Sequence, residues 1–583
     1  MNIARLNRKN MRLFPWMIMA LLTLSIPSLL MGGFTDEALF KAMDDELQRT
    51  IRKLKMENLD KPYYVEYAVT EFQNFELDGS FGTITRKIDD RNRYLLVDLR
   101  VGDYTFDNTN FIGDWSGILQ RAAELTIEND YDALRQDIWL ASDQAYKAAL
   151  EKLARKRAYV QTKAITDLPD DLSREEPYTV MESRVDLKID RAAWEKAVME
   201  LSGIFREYPS INDSNVTFKA IAINRYFLNS EGFKNRRGTS VILVGASAST
   251  QAADGQNIFN YETFYARDIN DLPAREDIAK KIREFARITL DISHVEQLSD
   301  YSGPVLFTGQ ASGEFFRQLL AANVSSPQTP LLADERYAGM VQKGKLAGKL
   351  NLRILPSFID VIDDPTLRNW NGVPLIGWYG VDDDGVPPQR VSLIESGKLV
   401  NLLMSRIPTK KLKQSNGHSR GSLHIPAEGR PANMIITAKE KTSLKDLKAK
   451  LLEYCREMGL EYGIVVTKLR DKNSYLESDS STDLTPEQRK TELSFPVEAY
   501  KVYVEDGREE LIRGAEFEGI TVRALKDILE AGDDSFAYNI LLGNNPELPA
   551  SLVTPSVLVE ELDLKKSEIK PSKPPILKSP LMN

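Results

Sequence analysis

The chain has 583 residues, with 76 Lys and Arg against 85 Asp and Glu, for a formal net charge of −9. That length supports two or three domains with real cores, and 42% hydrophobic with 28% charged residues is ordinary globular composition, which excludes wholesale disorder. The acidic balance argues against nucleic acid as a partner. One cysteine (Cys455) excludes a disulfide framework or a cysteine-cluster metal site, and three histidines (His294, His418, His424) give metal chemistry little to build on.

At the N-terminus Arg5, Arg8, Lys9 and Arg12 precede the apolar run Leu13–Met31, and acidic residues begin only at Asp36. A basic stretch before an apolar core reads as an export signal within residues 1–33. At roughly 20 residues the run is also long enough to remain as a membrane anchor, although Pro15 and Pro27 interrupt a continuous helix. No Ala-x-Ala site and no lipid-accepting cysteine are present. The expectation is an exported protein, periplasmic or in the cell envelope, that meets membrane only through this segment.

Asp36–Lys55 carries Leu39, Met43, Leu47, Ile51 and Leu54 at helical spacing. Pro62–Val101 alternates and reads as strands bounded by Asp-Gly, Asp-Asp and Gly-Asp turns. Asp132–Val160 is a long helix capped by Asp130 or Asp132, and Asp190–Tyr208 is another. Val216–Asn229 and Ser240–Thr250 are strands about the turn Asn229-Ser230-Glu231-Gly232, followed by a helix over Glu276–Ala286. Tyr301–Leu320 then combines the apolar triplet Val305–Phe307, six small or polar residues Thr308–Gly313, and Phe315, Phe316, Leu319 and Leu320 on one helix face. Beyond it, residues 350–362 alternate as a strand and 390–403 form a hairpin turning at Glu395-Ser396-Gly397. Leu444–Met458 is an amphipathic helix with Cys455 as a small core residue. Asp471–Glu492 is an acidic loop, Ala499–Val504 and Leu511–Phe517 pair as a second hairpin, and Lys570–Asn583 is a Pro- and Lys-rich tail. The fold class is α+β: an N-terminal α/β-mixed domain over 34–290, a C-terminal antiparallel β domain over 295–562, and a tail over 563–583.

A strand running into a helix through small residues is where many enzymes place a metal or nucleophile, yet no His, Cys, Asp or Glu precedes Glu314 here. P-loop, Rossmann, G-x-S-x-G and H-E-x-x-H motifs are absent. Asp382–Asp384 could offer oxygens to a cation but lacks the spacing and trailing glutamate of a calcium loop, so it reads as a solvated turn. Ser312 is tied to no histidine by a motif, and His418 and His424 lie in a polar loop, where isolated histidines are usually exposed.

Several stretches together resemble the TldD/PmbA (TldE) family: Phe227–Gly232, Gly303–Phe307, Asp363–Leu367, Asp384–Pro387 through Arg390 with Ile394–Leu399, Glu498–Tyr500, Gly532–Asp534 and Thr554–Ser556. The resemblance covers about residues 220–562 by motif and the N-terminal part by architecture only. It implies a curved, barrel-like antiparallel C-terminal domain with peripheral helices, pairing as a homodimer or as a heterodimer with a zinc-bearing TldD-like protein, and cleavage of unfolded peptides inside a chamber. The family's catalytic members carry H-E-x-x-x-H directly after the apolar strand, where two histidines bind zinc and the glutamate activates a bound water, and a cysteine near the C-terminus. The matching positions here are Thr308 and Gly313 for the histidines, Gly309 for the glutamate and roughly Leu541–Gly543 for the cysteine. The pattern matches the non-catalytic branch. It implies no cofactor in this chain and no catalytic residue, with Gln310, Ser312, Asp384 and Arg390 as candidate peptide contacts on the chamber wall. The expectation is the structural or peptide-recruiting member of a peptide-processing complex. A peptidase using another site, or an envelope scaffold, are the alternatives.

Overall fold

The structure is a computed structural model and describes residues 31–56, 58–114, 122–325, 328–340, 344–471, 491–567 and 579–582. Most of the N-terminal segment, of the acidic loop 471–492 and of the tail falls outside the described residues. Among the described residues no helix is long and apolar enough to cross a membrane.

The N-terminal region is built on α1 (Met31–Lys53), β1 (Pro62–Ser80), β2 (Thr83–Val101), α2 (Tyr131–Thr162), α3 (Arg191–Gly203), β3 (Asp213–Asn229), β4 (Lys234–Gln251), β5 (Asn257–Ala266) and α4 (Arg275–His294). The five strands lie side by side, antiparallel, in the order β2-β1-β3-β4-β5. Side chains alternate between sheet faces, and the register puts Val65, Tyr67, Val69, Phe75 and Leu77 of β1 on one face with Val216, Phe218, Ala220, Tyr226 and Leu228 of β3. This face is covered at one end by α1 and α2 and at the other by α3 and α4. The opposite face, with Ala68, Phe227 and Val241, packs on the C-terminal domain through Leu423, Ile376 and Leu541. Asp130 caps α2 by accepting from Ala133 N at 2.8 Å, as its position predicts.

The C-terminal domain has β6 (Tyr301–Phe307), α5 (Gly309–Leu319), β7 (Ile359–Asp363), β8 (Val391–Glu395), β9 (Asn433–Ala438), α6 (Leu444–Glu457), β10 (Tyr462–Leu469), β11 (Pro496–Tyr503), β12 (Phe536–Leu541), β13 (Pro549–Thr554) and β14 (Val557–Lys566). One sheet runs β8-β7-β9-β13-β12 and the other β11-β10-β6-β14, and Pro555-Ser556 carries the chain from one to the other. The two sheets curl as a half-barrel about α5, with Val305, Phe307, Phe315, Phe316, Leu319, Val361, Ile436, Leu552 and Val559 in one core. The α+β expectation holds, with two additions: β6–β10 and β9–β13 are parallel pairs, and α5 is interior, whereas α6 covers the outer side of β6, β10 and β14 with Leu447, Leu451 and Cys455.

Three local expectations change. The Asp89-Asp90 pair is not a turn, because β2 passes straight through it as the exposed end of a long ribbon that turns at Phe81-Gly82 instead. Of residues 350–362 only the end is strand. Ala515–Phe517 pairs with β14, while the hairpin partner of β11 is Glu509–Leu511. Each is a choice of long-range partner, which alternation within one strand does not specify.

Candidate functional site

β6 ends on Phe307 in the core, and α5 begins in the next turn. Gly309 has φ +52, and a Cβ built on it meets nothing within 4 Å, so this position faces open space. Gly313 is different. A Cβ there would lie 2.7 Å from Cδ1 of Tyr538 and 2.9 Å from its Cγ, closer than such atoms approach, so the Tyr538 ring occupies the space a side chain at 313 would need. Tyr538 is held in turn: its hydroxyl donates to Glu314 Oε1 at 2.8 Å. Glu314, fully buried, also accepts from Arg317 (Nε at 2.7 Å, Nη2 at 2.6 Å) and from Gln318 Nε2 at 2.6 Å. Arg317 further pairs with Asp471 at 3.1 Å. A buried carboxylate needs this many donors to offset its desolvation. Burial foremost, with Glu314 and Asp471 adding to it and Arg317 opposing, pushes the Tyr538 hydroxyl well above its ordinary range.

Half-exposed Gln310 spans the mouth of this turn. Its Nε2 donates to Leu469 O at 3.1 Å and to the hydroxyls of Tyr261 and Tyr538, both at 3.3 Å, while its Oε1 accepts from Leu469 N at 2.8 Å. Tyr261 comes from β5 and Tyr538 from β12, so one amide joins both domains. Behind it Lys468 is buried against Glu262 at 3.0 Å and Glu498 at 3.1 Å.

Zinc does not fit these residues. Thr308 offers a neutral hydroxyl, Gly309 has no side chain, and Gly313 faces an aromatic ring. Leu541, at the place of the family's cysteine, packs in a small cluster with Ile376 and Val241. Cys455 is on the buried face of α6, with burial pushing its thiol up to about 11. His294 and His424 are exposed. The exposed-loop reading of His418 is corrected: it is fully buried, with Nε2 on Asp363 Oδ1 at 3.0 Å and Nδ1 on Asn416 O at 3.0 Å, because the polar loop folds beneath β7.

The sequence-derived contacts do not form one surface. Gln310 is half-exposed beside Gly309, but Ser312 is sealed inside, its hydroxyl donating to Pro555 O at 2.6 Å. Arg390 is exposed elsewhere. Asp384 belongs to a charge cluster between the domains, where Asp384 Oδ2 accepts from Arg406 N at 2.8 Å. Here the solvated-turn reading of Asp382–Asp384 is also corrected. Asp382 and Asp383 are buried; Asp383 Oδ1 takes Arg225 at 2.7 Å and Arg237 at 2.6 Å, and Asp382 accepts from the backbone of Asp384, Val386 and Ser419. Arg225 and Arg237 come from β3 and β4, partners no local pattern in the sequence announces. Burial pushes Asp383 up, but the two arginines outweigh it and hold its carboxyl below the usual range.

Opposite this loop, Glu66 on β1 is pushed up to about 8 by burial and by Asp98 and Asp384, against Tyr64 and Arg225, and Glu547 is pushed up to about 7 by burial. The folded protein therefore keeps protons that the unfolded chain releases near pH 4.5, and stability falls as pH rises through this window. Asp383, held low, has finished titrating below it. The urea midpoint is expected to drop between pH 5 and 8, and Glu66→Gln to make the drop shallower; an unchanged slope in the variant would refute the assignment.

A sequence profile described as the PmbA/TldA metallopeptidase C-terminal domain matches residues 301–566. A protein named metalloprotease from Archaeoglobus fulgidus is 36% identical over 75 residues, which is 13% of this chain and 16% of that protein's length. Among solved structures, a candidate modulator of DNA gyrase from Thermotoga maritima superposes with TM-score 0.57 at 16% identity, over 92% of this chain and 100% of that one. TldE from Thermococcus kodakarensis does so with TM-score 0.53 at 14% identity, over 90% and 100%. At such identities these two establish the fold alone. Residues 301–566 are thus a C-terminal domain of the TldD/PmbA family of metallopeptidase-related proteins.

Proposed function

We propose that this chain is an exported, metal-free member of the family that acts as the structural or peptide-recruiting half of a peptide-processing complex, paired with itself or with a zinc-bearing relative. The observation that carries the reading is the Tyr538 ring in the space of a side chain at Gly313. That ring is itself hydrogen-bonded to a buried ion pair, which supports a non-catalytic reading more than a missing ligand alone would.

A recruiting role is supported by two strand edges beside Gln310. Among the described residues β5 pairs only with β4 and β12 only with β13, so each leaves a strand edge. An extended peptide can add to such an edge through main-chain hydrogen bonds. The stacked pairs Phe259–Tyr261 and Phe536–Tyr538 on these strands offer apolar area for its side chains. Export rests on the basic and apolar residues 5–31 of the sequence.

The test is binding and cleavage of an unstructured peptide library. The purified chain is expected to bind peptides and leave them intact, with cleavage appearing when a relative carrying H-E-x-x-x-H is added. Cleavage by the chain alone would refute the reading.

A further inference from the structure

Arg267 follows directly on the end of β5, and Arg368 lies in the segment after β7. Their guanidinium carbons lie 4.2 and 4.1 Å from the centroid of one indole, that of Trp378. Arg267 Nε donates to Ile376 O at 2.7 Å, which holds the side chain through one of its three nitrogens. Among the described residues neither arginine is in an ion pair. This contrasts with the other cations around the domain junction, where Arg225 and Arg237 pair with Asp383, Arg317 with Glu314 and Arg406 with Glu231. Two like charges on one ring repel, and the repulsion grows where solvent is partly excluded. Burial, with Arg420, Arg237 and Arg368 adding to it and Glu182 opposing, draws Arg267 down to about 9. In a chain of net charge −9, two cations outside any ion pair on a half-buried aromatic are a place where an anion would relieve the repulsion.

The geometry points to Arg267 and Arg368, held on Trp378, as a carboxylate-binding site that selects an acidic extended peptide lying along β5. The direction of β5 supports this. At its middle Tyr261 meets Gln310, and further on Tyr265 packs with Ile376 and Leu541. Arg267 is thus reached by following one strand from the vacated family site, six residues on, or about 20 Å of extended backbone. A peptide on that edge would bring a carboxylate onto the pair about six residues from the residue over Gly309. A guanidinium presents two parallel N–H donors to a carboxylate, which suits an Asp or Glu side chain and a chain terminus alike. The inference rests on the peptide-recruiting reading above.

The experiment measures binding of fluorescent, unstructured peptides of about a dozen residues to the full chain, in three forms: acidic at one end with a free C-terminus, the same with an amidated C-terminus, and a neutral version with Asn and Gln for Asp and Glu and an amidated end. The acidic peptide is expected to bind about tenfold more tightly than the neutral one, and the preference to vanish at about 0.5 M salt. Arg368→Gln, at an exposed residue, and Arg267→Gln should each bring acidic binding toward the neutral value while leaving neutral binding unchanged. Retained preference in the amidated form assigns the contact to side chains, and its loss assigns it to the terminus; both support the site. Equal binding of acidic and neutral peptides, or an undiminished preference in Arg368→Gln, overturns the inference and leaves the recruiting reading standing. Binding of none of the three overturns both.

Discussion

Rebuilding the family's motif with Thr308→His, Gly309→Glu and Gly313→His is expected to give a destabilised protein and no zinc site. The decisive residue is Gly313. Within a helix, Gly→Ala ordinarily stabilises by about 1 kcal/mol. Here even a methyl meets Tyr538 Cδ1 at 2.7 Å, and overpacking costs about 1–3 kcal/mol. Tyr538 cannot step aside cheaply, because its hydroxyl is bonded to buried Glu314 and its strand to β13. Gly313→Ala should therefore lower stability, reversing the usual sign, and the larger imidazole should lower it further. Gly309→Glu adds about 1 kcal/mol, since φ +52 suits glycine. In a double-mutant cycle, Gly313→Ala should cost less in a Tyr538→Ala background; additive urea-unfolding energies would contradict the packing account.

Asp383→Ala should cost about 3–5 kcal/mol, the cost of leaving buried charges unpaired. Two arginines from the N-terminal sheet converge on this one carboxylate, and its other oxygen accepts Gly421 N at 2.7 Å. The effect should be seen as loss of a single cooperative transition, with the N-terminal sheet and the half-barrel unfolding at separate midpoints. Asp383→Asn, which keeps the shape, should also be strongly destabilising. A loss under about 1 kcal/mol for the alanine variant would show that solvent, not the arginines, satisfies Asp383.

Much of the scaffold could be read from local pattern. The helices over 131–162 and 444–457, the cap at Asp130, the turn at Ser396-Gly397 and the apolar triplet 305–307 follow from spacing and turn chemistry. The stretches that carry the family resemblance fix local shape. Asn229 Oδ1 accepts from Glu231 N and Phe233 N, Asp364 turns onto Thr366, and Asp534 caps Ser556. What the sequence hid was long-range pairing. Asp382–Asp384 looks solvated until β3 and β4 bring two arginines to it, and His418 looks exposed until Asp363 lies over it. The missed residues, Tyr261 and Arg267, Trp378, and Tyr538, come from three distant segments. Their only advance signal is weak: Phe259 and Tyr261, like Phe536 and Tyr538, alternate along a strand, as core aromatics also do.

The central claim is that the site facing Gly309 and Gly313 cannot hold zinc. Its direct measurement is the zinc content of the purified chain after equilibration with micromolar zinc and removal of unbound metal. Substoichiometric zinc, no chelator-sensitive change in stability and no chelator-sensitive peptide cleavage are the predicted results. One zinc per chain, removed by a chelator together with peptide cleavage, would contradict the account.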